Sequence, residues 1–337
     1  MRRALPRIIL AGALIAALLF SVFYAHSSAG GLRVLCSNNA SSCEALAEAY
    51  ERHSGHPVFI RHFPTSRALS LIEGGHASES FDVWVGGPAE AYVQAEQRGL
   101  LLPHNLSPAS INPRYYSDYW IGTYGGVLAL CTRNDGRDSR DGGDSAAPAS
   151  WEDLLDPRYR GRIAVPSPIS SGTAATFLLT QHERLKDPAR VTKYLRDLDA
   201  NVATYTNSGT KLASLVQQGR VDVAITFAPY CTATSGSSLR VTYPLDGVGF
   251  EIGASALLAG GGHPQAQEFL SFAISDQAQS LVASIEHQNP TSTSLPNNLD
   301  TALAAISAPI FGANVAASSA VRAQLIDSFV KDVLYAR

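Results

Sequence analysis

Hydroxyl groups and a glycine come together in Ser170, Ser171, Gly172 and Thr173, where a helix is predicted to start. The apolar strand RIAVP precedes these residues, and the helical stretch AATFLLTQHERL follows them. The first N–H groups of a helix lack intrahelical partners and carry the positive end of its dipole, and glycine lets a ligand approach the backbone closely. The pattern indicates an anion-binding site. A serine that only caps the helix, without any ligand, would give the same pattern.

Polar turns of a similar kind follow other predicted strands. They are Ser37-Asn38, Thr65-Ser66-Arg67, Gly86-Gly87 and Asn207-Ser208-Gly209. In open α/β sheets, ligands bind outside the carboxyl ends of the strands. We therefore expect these turns to line one ligand site with hydroxyl, amide and bare backbone groups. Turns between strands and helices are also rich in Ser, Thr and Gly for conformational reasons alone.

Two further residues are candidates for the other end of a ligand. Glu251 lies in the apolar segment VGFEIGASALL, where a carboxylate is costly unless it meets a partner. That partner is either an ammonium or hydroxyl group of a ligand, or a basic residue in a structural salt bridge. Tyr230 follows the predicted strand 221–227 and could contact the same part of a ligand.

The elements that would position these residues alternate between strand and helix. In the first part of the chain the predicted strands are 32–35, 57–61 and 81–85, with helices at 43–53, 68–73 and 89–98. This order predicts an α/β fold with a parallel sheet covered on both faces. Residues 125–245 repeat the alternation as a second domain, and the apolar segment 250–259 is expected to cross back to the first. An amphipathic helix is predicted over 321–334.

The first 29 residues resemble a secretory signal. Arg2, Arg3 and Arg7 precede the apolar run 8–24, and Ser27-Ser28-Ala29 offers small residues for cleavage. A run of this length is also at the lower limit for an uncleaved membrane anchor. Cleavage would remove three of the 26 basic residues and none of the 29 acidic ones, leaving a net charge of −6. That balance argues against nucleic acid as a partner.

The four cysteines predict two disulfides, because an exported chain folds in an oxidising compartment. Four cysteines allow three pairings. Cys36 and Cys43 flank one short loop, whereas Cys131 and Cys231 each close an apolar strand. We favour the pairs 36–43 and 131–231.

The motifs give little support for an enzyme. Ser208 and Lys211 match S-x-x-K, in which serine is a nucleophile and lysine a base, but the SDN and KTG sequences that complete this site are missing. The histidines are scattered without metal-ligand spacing. No cofactor or bound metal is expected, and a secreted serine-type enzyme stays an alternative hypothesis.

Several segments in fixed order resemble one family of proteins. They are LRVLCSNNASSCEALAEAYERHSG, FDVWVGG, WEDLLDPRYRGRIAVPSPISSGTAATFL, NVATYTNSGTK and GFEIGASALLAGGGHPQAQEFLSF, which together extend over about residues 32–290. They resemble the periplasmic solute-binding proteins of ABC transporters, in the branch that binds ferric iron, phosphonates and sugar phosphates.

The resemblance implies a type II periplasmic-binding-protein clamshell, with each lobe a mostly parallel sheet flanked by helices. Residues 30–124 would form the first part of lobe 1, residues 125–249 lobe 2, and residues 250–337 the rest of lobe 1 with the C-terminal helices. Crossover strands near Tyr124 and Glu251 would serve as the hinge. The partners implied are a small solute and an inner-membrane ABC permease, and the protein would be a periplasmic monomer.

The ligand is predicted from where the chain departs from the family pattern. Ferric-binding members have a Tyr-Tyr pair where this chain has only Tyr230, and a histidine where it has Ser37-Asn38. The hydroxyl-rich turns suit a phosphate or phosphonate oxyanion, which accepts several short hydrogen bonds. The sequence therefore predicts capture of a small anionic solute, with ferric iron as the alternative ligand. An uncleaved leader would instead make the protein a membrane-tethered sensor.

Overall fold

The computed structural model describes residues 31–74, 81–134, 147–234, 238–312 and 314–336. The predicted signal segment 1–29 lies outside these residues. The first part of the chain forms β1 (Leu32–Cys36), α1 (Ala40–Ser54), β2 (Val58–His62), α2 (Thr65–Glu73), β3 (Val83–Pro88), α3 (Ala89–Gln97), β4 (Leu101–Leu102) and β5 (Ile121–Arg133). The predicted alternation of strand and helix is thus present over this part of the chain.

The middle of the chain repeats the alternation. It forms β6 (Ile163–Pro166), α4 (Gly172–Leu185), α5 (Pro188–Asp199), β7 (Val202–Thr206), α6 (Leu212–Gln217), β8 (Val223–Phe227), α7 (Ala228–Ala233) and β9 (Leu239–Thr242). Helix α7 was not predicted. It starts at Ala228-Pro229, and proline is well suited to the first turn of a helix because its missing N–H has no partner there anyway.

The last part of the chain returns to the first sheet. It forms β10 (Val248–Leu258), α8 (Ala266–Ala273), α9 (Asp276–Glu286), β11 (Asn289–Pro290), α10 (Leu299–Ala304), β12 (Ile310–Phe311) and α11 (Val315–Phe329), which continues as one π-helical turn, Val330–Leu334. Within the described ranges, no helix is both long and apolar enough to cross a membrane.

Two long strands join the two halves of one sheet, whose order is β2-β1-β3-β10-β5-β8-β6-β7. The pairs β1–β2 and β1–β3 are parallel, as predicted, and so are β6–β7 and β6–β8. Strands β10 and β5 run antiparallel to each other through the middle of the sheet. The first half of β5 pairs with β10, and its second half pairs with β8 and β9.

Separate cores lie on either side of this junction. Trp84, Tyr92 and Phe250 belong to a buried cluster formed around β3, α3 and β10. Trp151, Phe177 and Phe227 belong to another, around β6, α4 and β8. Two cores, linked by the long strands β5 and β10 and by helix α11, give a two-lobed molecule, which confirms the predicted α/β clamshell architecture. We call the half with β1–β3 lobe 1 and the half with β6–β8 lobe 2.

Both favoured disulfides are present. Cys36 and Cys43 are bonded, with Cα atoms 6.0 Å apart, and they join the end of β1 to the first turn of α1. Cys131 and Cys231 are bonded with Cα atoms 5.8 Å apart, and they join β5 to α7. Each bond therefore fixes a helix beside a strand.

Candidate functional site

A cavity of about 240 Å³ lies between the two lobes. The turns after β1, β3, β6 and β7 open into it, together with the first turn of α2 and residues of α7 and β10. The structure therefore brings together residues that are up to 249 positions apart in the chain, from Ser37 to Glu286. The predicted residues that line the cavity are Ser37, Asn38, Thr65, Gly87, Ser170, Ser171, Gly172, Thr173, Asn207, Ser208, Gly209, Tyr230 and Glu251.

Ser66 and Arg67 are the predicted site residues that do not line the cavity. Both are exposed, whereas Thr65, the first residue of α2, is buried beside Gly87. Successive residues of a helix point about 100° apart, so only one residue of this triplet can face the cavity. Arg67 therefore adds no charge to the cavity wall.

The first turn of α4 is the part of the cavity best suited to an anion. Ser171 occupies the N-cap position, yet its side chain makes no capping hydrogen bond. The Ser170 hydroxyl donates to the carbonyl of Asn207 at 3.2 Å, which holds this turn against the turn after β7. The N–H groups of the first turn are thus not satisfied by the side-chain cap that a serine usually supplies. They are available to a ligand at the positive end of the helix dipole.

A second hydroxyl-bearing turn lies beside α4. Ser208 caps the short helical turn Gly209–Lys211, and its Oγ accepts a hydrogen bond from Thr210 N at 3.3 Å. A Cβ atom on Gly209 would lie 2.4 Å from Thr173 Oγ1, so only glycine lets the two turns come this close. Hydroxyls from both turns therefore face the same space.

The lobe 1 wall is held by a hydrogen-bond chain that fixes its polar groups. Trp84 Nε1 donates to Ser37 Oγ at 3.0 Å, and Tyr124 OH donates to Asn38 Oδ1 at 2.6 Å. The same Tyr124 oxygen accepts from Gly87 N at 3.0 Å. Gly86, with φ +81°, packs directly against Asn38, where any Cβ would clash. These contacts hold the polar groups of the lobe 1 wall in fixed positions relative to one another.

The floor of the cavity is acidic and phenolic. It contains Glu251 from β10, Glu286 from the end of α9, and the phenols of Tyr124 and Tyr230. Burial raises the pKa of both phenols well above the usual value, and the nearby carboxylates raise it further. Gln288 Nε2 donates to Tyr230 OH at 2.8 Å. Both phenols therefore stay protonated at neutral pH.

Glu286 is held by the start of α1. Its Oε1 accepts from Asn39 N at 2.7 Å and also from the Ser42 hydroxyl, and its Oε2 accepts from Asn39 Nδ2 at 2.6 Å. A carboxylate at a helix N-terminus is stabilised by the unpaired N–H groups and the dipole. Burial nevertheless raises the pKa of Glu286, although these hydrogen bonds lower it.

Glu251 has fewer hydrogen bonds than Glu286. Its residue is only 6% exposed, and its Oε2 is buried without a hydrogen-bond partner among the described residues. Its pKa is raised to about 8, mainly by burial and also by the charges of Glu90 and Glu286, while Arg322 and the Thr176 hydroxyl oppose the shift. A buried carboxyl with one unpartnered oxygen at a cavity wall is a candidate for contact with a ligand.

Sequence analysis did not identify several residues that line the cavity. They are Asn39, His62, Pro64, Pro88, Tyr124, Thr210 and Glu286. Asn39, Pro64, Pro88 and Thr210 each adjoin a predicted turn, so extending every turn by one residue would have found them. Glu286 ends a helix whose pattern carries no sign of a site, because only the packing of α9 against α1 brings it there.

The serine–lysine pair does not form a catalytic site geometry. Lys211 lines the cavity and is exposed. Ser208 Oγ lies 3.0 Å from Thr210 Oγ1 and accepts from Thr210 N, so its hydrogen bonds run within its own turn. A nucleophilic serine needs its base within hydrogen-bond reach, and no Ser208–Lys211 bond occurs among the described residues.

Known proteins resemble this chain over most of its length. A family model described as bacterial extracellular solute-binding protein matches residues 32–284. A Haemophilus influenzae protein described as uncharacterized is 29% identical over 268 residues, which cover 75% of each chain.

Solved structures of periplasmic proteins share the fold. AfuA from Actinobacillus pleuropneumoniae, with exogenous fructose-6-phosphate bound, has a TM-score of 0.81 at 24% identity, covering 90% of this chain and 99% of its own. The periplasmic binding protein P5PA has a TM-score of 0.79 at 24% identity, with the same coverage of both chains. Iron-bound HitA from Pseudomonas aeruginosa has a TM-score of 0.73 at 21% identity, covering 88% of this chain and 98% of its own. The family match over most of the chain, with two lobes around one polar cavity, shows that this protein belongs to the bacterial extracellular solute-binding proteins.

Proposed function

We propose that this protein is the periplasmic substrate-binding subunit of an ABC importer and captures a small phosphate- or phosphonate-bearing solute between its lobes. After cleavage of the leader it would act as a monomer, without enzymatic activity, and deliver the solute to an inner-membrane permease. The observation that carries the proposal is the uncapped first turn of α4, which faces the same cavity as the hydroxyls of Thr173 and Ser208.

The chemistry of these groups favours a tetrahedral oxyanion. A phosphate oxygen accepts several hydrogen bonds, and hydrogen bonds to a charged oxygen are stronger than neutral ones. Thr65 and Ser37 supply hydroxyls from lobe 1, while the α4 turn supplies hydroxyls and N–H groups from lobe 2. A solute that touches both walls would hold the lobes together, which is the hinge closure expected of this fold. The fructose-6-phosphate found on AfuA is consistent with such a ligand.

Ferric iron is the second candidate ligand, and one observation favours it. Tyr124 and Tyr230 come from distant parts of the chain but meet Glu251 and Glu286 in the cavity, which gives two phenol and two carboxyl groups. Hard oxygen ligands of this kind suit a ferric ion once the phenols lose their protons. Each phenol already makes a hydrogen bond, Tyr124 to Asn38 and Tyr230 with Gln288. HitA, which has this fold, is iron-bound.

The test is thermal unfolding of the mature protein with separate additions of inorganic phosphate, fructose 6-phosphate, aminoethylphosphonate and ferric citrate. A solute at a hundredfold excess over its dissociation constant should stabilise the folded state by about 2.7 kcal/mol. Stabilisation by ferric citrate with a visible charge-transfer band, and none by the phosphorus compounds, would favour iron. No stabilisation by any of them would overturn the proposal.

A matched pair of variants tests whether the α4 turn binds the phosphorus compound. Thr173→Val should weaken binding of the active phosphorus compound, because losing one hydrogen bond to a charged group costs about 1.5–3 kcal/mol. Thr180→Val is the control on the same helix, since the Thr180 hydroxyl donates to the Thr176 carbonyl at 2.7 Å and does not line the cavity. Equal losses in both variants would contradict a role for the α4 turn.

A further inference from the structure

Groups that attract anions and groups that attract cations lie next to each other in the cavity. Lobe 2 supplies N–H donors and hydroxyls at the first turn of α4, and Lys211 lies on the same side. Glu251 and Glu286 form the floor. From this polarity we infer that the solute carries an amino group as well as its phosphate or phosphonate, and that Glu251 binds this amino group as an ammonium ion. The inference rests on the proposed function, whose anion would occupy the α4 end.

The unpartnered oxygen of Glu251 is the first support. Its Oε2 is buried without a hydrogen-bond partner, and it lies 3.1 Å from the position that a Cβ on Gly172 would take. The carboxyl therefore sits directly beside the α4 turn, within reach of any small molecule bound there. A buried carboxyl with a free oxygen accepts hydrogen bonds, and an ammonium ion supplies three N–H donors.

Glu286 contributes charge but not a binding group. Both of its oxygens already accept hydrogen bonds, from Asn39 and Ser42. It therefore makes the floor more negative while leaving Glu251 as the group that can meet a ligand. A cation in this position would be attracted by two carboxylates at once.

The balance of buried charge is the second support. Glu90 on α3 is fully enclosed, and Arg322 on α11 is the cation that interacts with both Glu90 and Glu251. Arg322 Nε and Glu251 Oε2 are both buried without hydrogen-bond partners in the described part of the chain. Arg322 therefore favours the charged form of Glu251 through space, but it leaves the Glu251 Oε2 atom without a hydrogen bond. The charged or titratable groups that act on Glu251 or on its neighbour Glu90 are Glu90, Glu183, Glu286, Arg322, Tyr124 and Tyr230.

The raised pKa of Glu251 agrees with binding of an ammonium ion and allows that binding to be detected by proton release. With a pKa of about 8, the carboxyl holds its proton at pH 7 when the cavity contains no cation. An ammonium ion stabilises the carboxylate, so binding would release that proton to solvent. A hydroxyl at the same place would bind the protonated carboxyl and release none. Affinity for a solute whose ammonium group stays protonated at both pH values, such as aminoethyl phosphate, should therefore rise about fivefold from pH 7 to pH 8.

The experiment uses isothermal titration calorimetry on the mature protein with pairs of compounds that differ in the amino group. They are aminoethyl phosphate against ethyl phosphate, and glucosamine 6-phosphate against glucose 6-phosphate. We expect the amino compound of at least one pair to bind about tenfold tighter or more. Titrations in two buffers with different ionisation enthalpies should show proton release for that amino compound at pH 7. Equal affinities within both pairs, or binding without proton release, would overturn the inference.

Variants show whether Glu251 causes the preference. In Glu251→Gln the amino compound and its counterpart without the amino group should bind with nearly equal affinity, and proton release on binding should disappear. Glu48→Gln is the control, because Glu48 is an exposed side chain on α1 far from the cavity floor. A preference that survives in Glu251→Gln would also overturn the inference. If no phosphorus compound of either kind binds, the proposed function itself fails, so the two failures are distinguishable. The wild-type proton release gives an answer even if Glu251→Gln does not fold.

Discussion

At the scale of single residues, the site combines polar groups whose hydrogen bonds are made with one group that lacks a hydrogen-bond partner. Glu286 and Tyr124 are fixed by hydrogen bonds, whereas Glu251 keeps a buried oxygen with no partner. Burying a carboxyl in this way costs free energy, which the protein reduces by keeping it protonated. The apolar segment around Glu251 predicted that it needs a partner, but not that Glu90 and Arg322 are its neighbours.

The free-energy cost of burying the Glu251 carboxyl should appear in the pH dependence of the protein's stability. Its pKa is 4.5 in an ordinary environment and about 8 in the folded protein. Between these values the folded protein keeps a proton that the unfolded chain releases, so the free energy of unfolding should fall as pH rises. Glutamine cannot ionise. The free energy of unfolding of Glu251→Gln should therefore exceed that of the wild type by about 3–5 kcal/mol at pH 8, and by little at pH 4.5.

Urea unfolding at pH 4.5 and pH 8, without ligand, measures this difference. Glu48→Gln again serves as the control, because an exposed carboxylate should change stability equally little at both pH values. A Glu251→Gln effect of the same size at both pH values would contradict the raised pKa.

At the scale of elements, β5 is the structure on which both lobes depend. It pairs with β10 in lobe 1 and with β8 and β9 in lobe 2. Tyr124 lies in its first half, and Cys131 lies in its second half. The apolar run of β5 was predictable, because it is long and uninterrupted. Its pairing with strands of both lobes was not, because pairing depends on residues about ninety or more positions away.

The two disulfides should differ in their contribution to stability. The bond between Cys131 and Cys231 closes a loop with a sequence separation of 100, whereas Cys36 and Cys43 are separated by 7. In the chain-entropy description, removing the long-range bond costs about 4–5 kcal/mol and removing the short-range bond about 2–3 kcal/mol.

The double variants Cys131→Ala/Cys231→Ala and Cys36→Ala/Cys43→Ala make this comparison, with denaturant unfolding as the measurement. All four residues are buried, so the packing loss is similar in the two cases. A larger loss in the Cys36–Cys43 variant would show that loop length does not govern the effect. In that case the position of α1 beside the cavity would be the more important constraint.

At the scale of the whole molecule, the site exists only where the two lobes meet. Helix α11 contributes to both: Val315 packs in the core of lobe 1 and Phe329 in the core of lobe 2. The lobes also meet at Gly172, where a Cβ atom would lie 2.7 Å from Pro88 Cγ. The division at residues 124 and 249 and the hinge it assumed stay predictions; Tyr124 lies in β5 and Glu251 in β10.

Closure of the lobes should therefore be sensitive to a side chain at position 172. The proline ring cannot move aside as a flexible side chain would, so Gly172→Val should hold the lobes slightly apart. Overpacking of this kind costs about 1–3 kcal/mol, which is about five- to hundredfold in the dissociation constant of the active solute. Stability without ligand should change little, because the strain is relieved by opening.

Gly262→Ala is the matched control, since a Cβ atom there meets open space. Calorimetric titration of the two variants and small-angle scattering with saturating solute would measure affinity and closure. Unchanged affinity in Gly172→Val would show that the two lobes need not approach at this point for binding.

The sequence alone determined the α/β alternation, the positions of most strands and helices, and the polar turns that become the cavity wall. These features are local, because they depend on hydrophobic periodicity and on residues suited to turns within a short segment. Only the tertiary structure decided that Thr65 faces the cavity while Arg67 does not, and that Tyr124 and Glu286 join the site. Those outcomes depend on how helices rotate and pack against distant strands, which no short stretch of sequence specifies. The unpartnered state of Glu251 belongs to the same class, because it depends on the burial and charge that both lobes and α11 impose together.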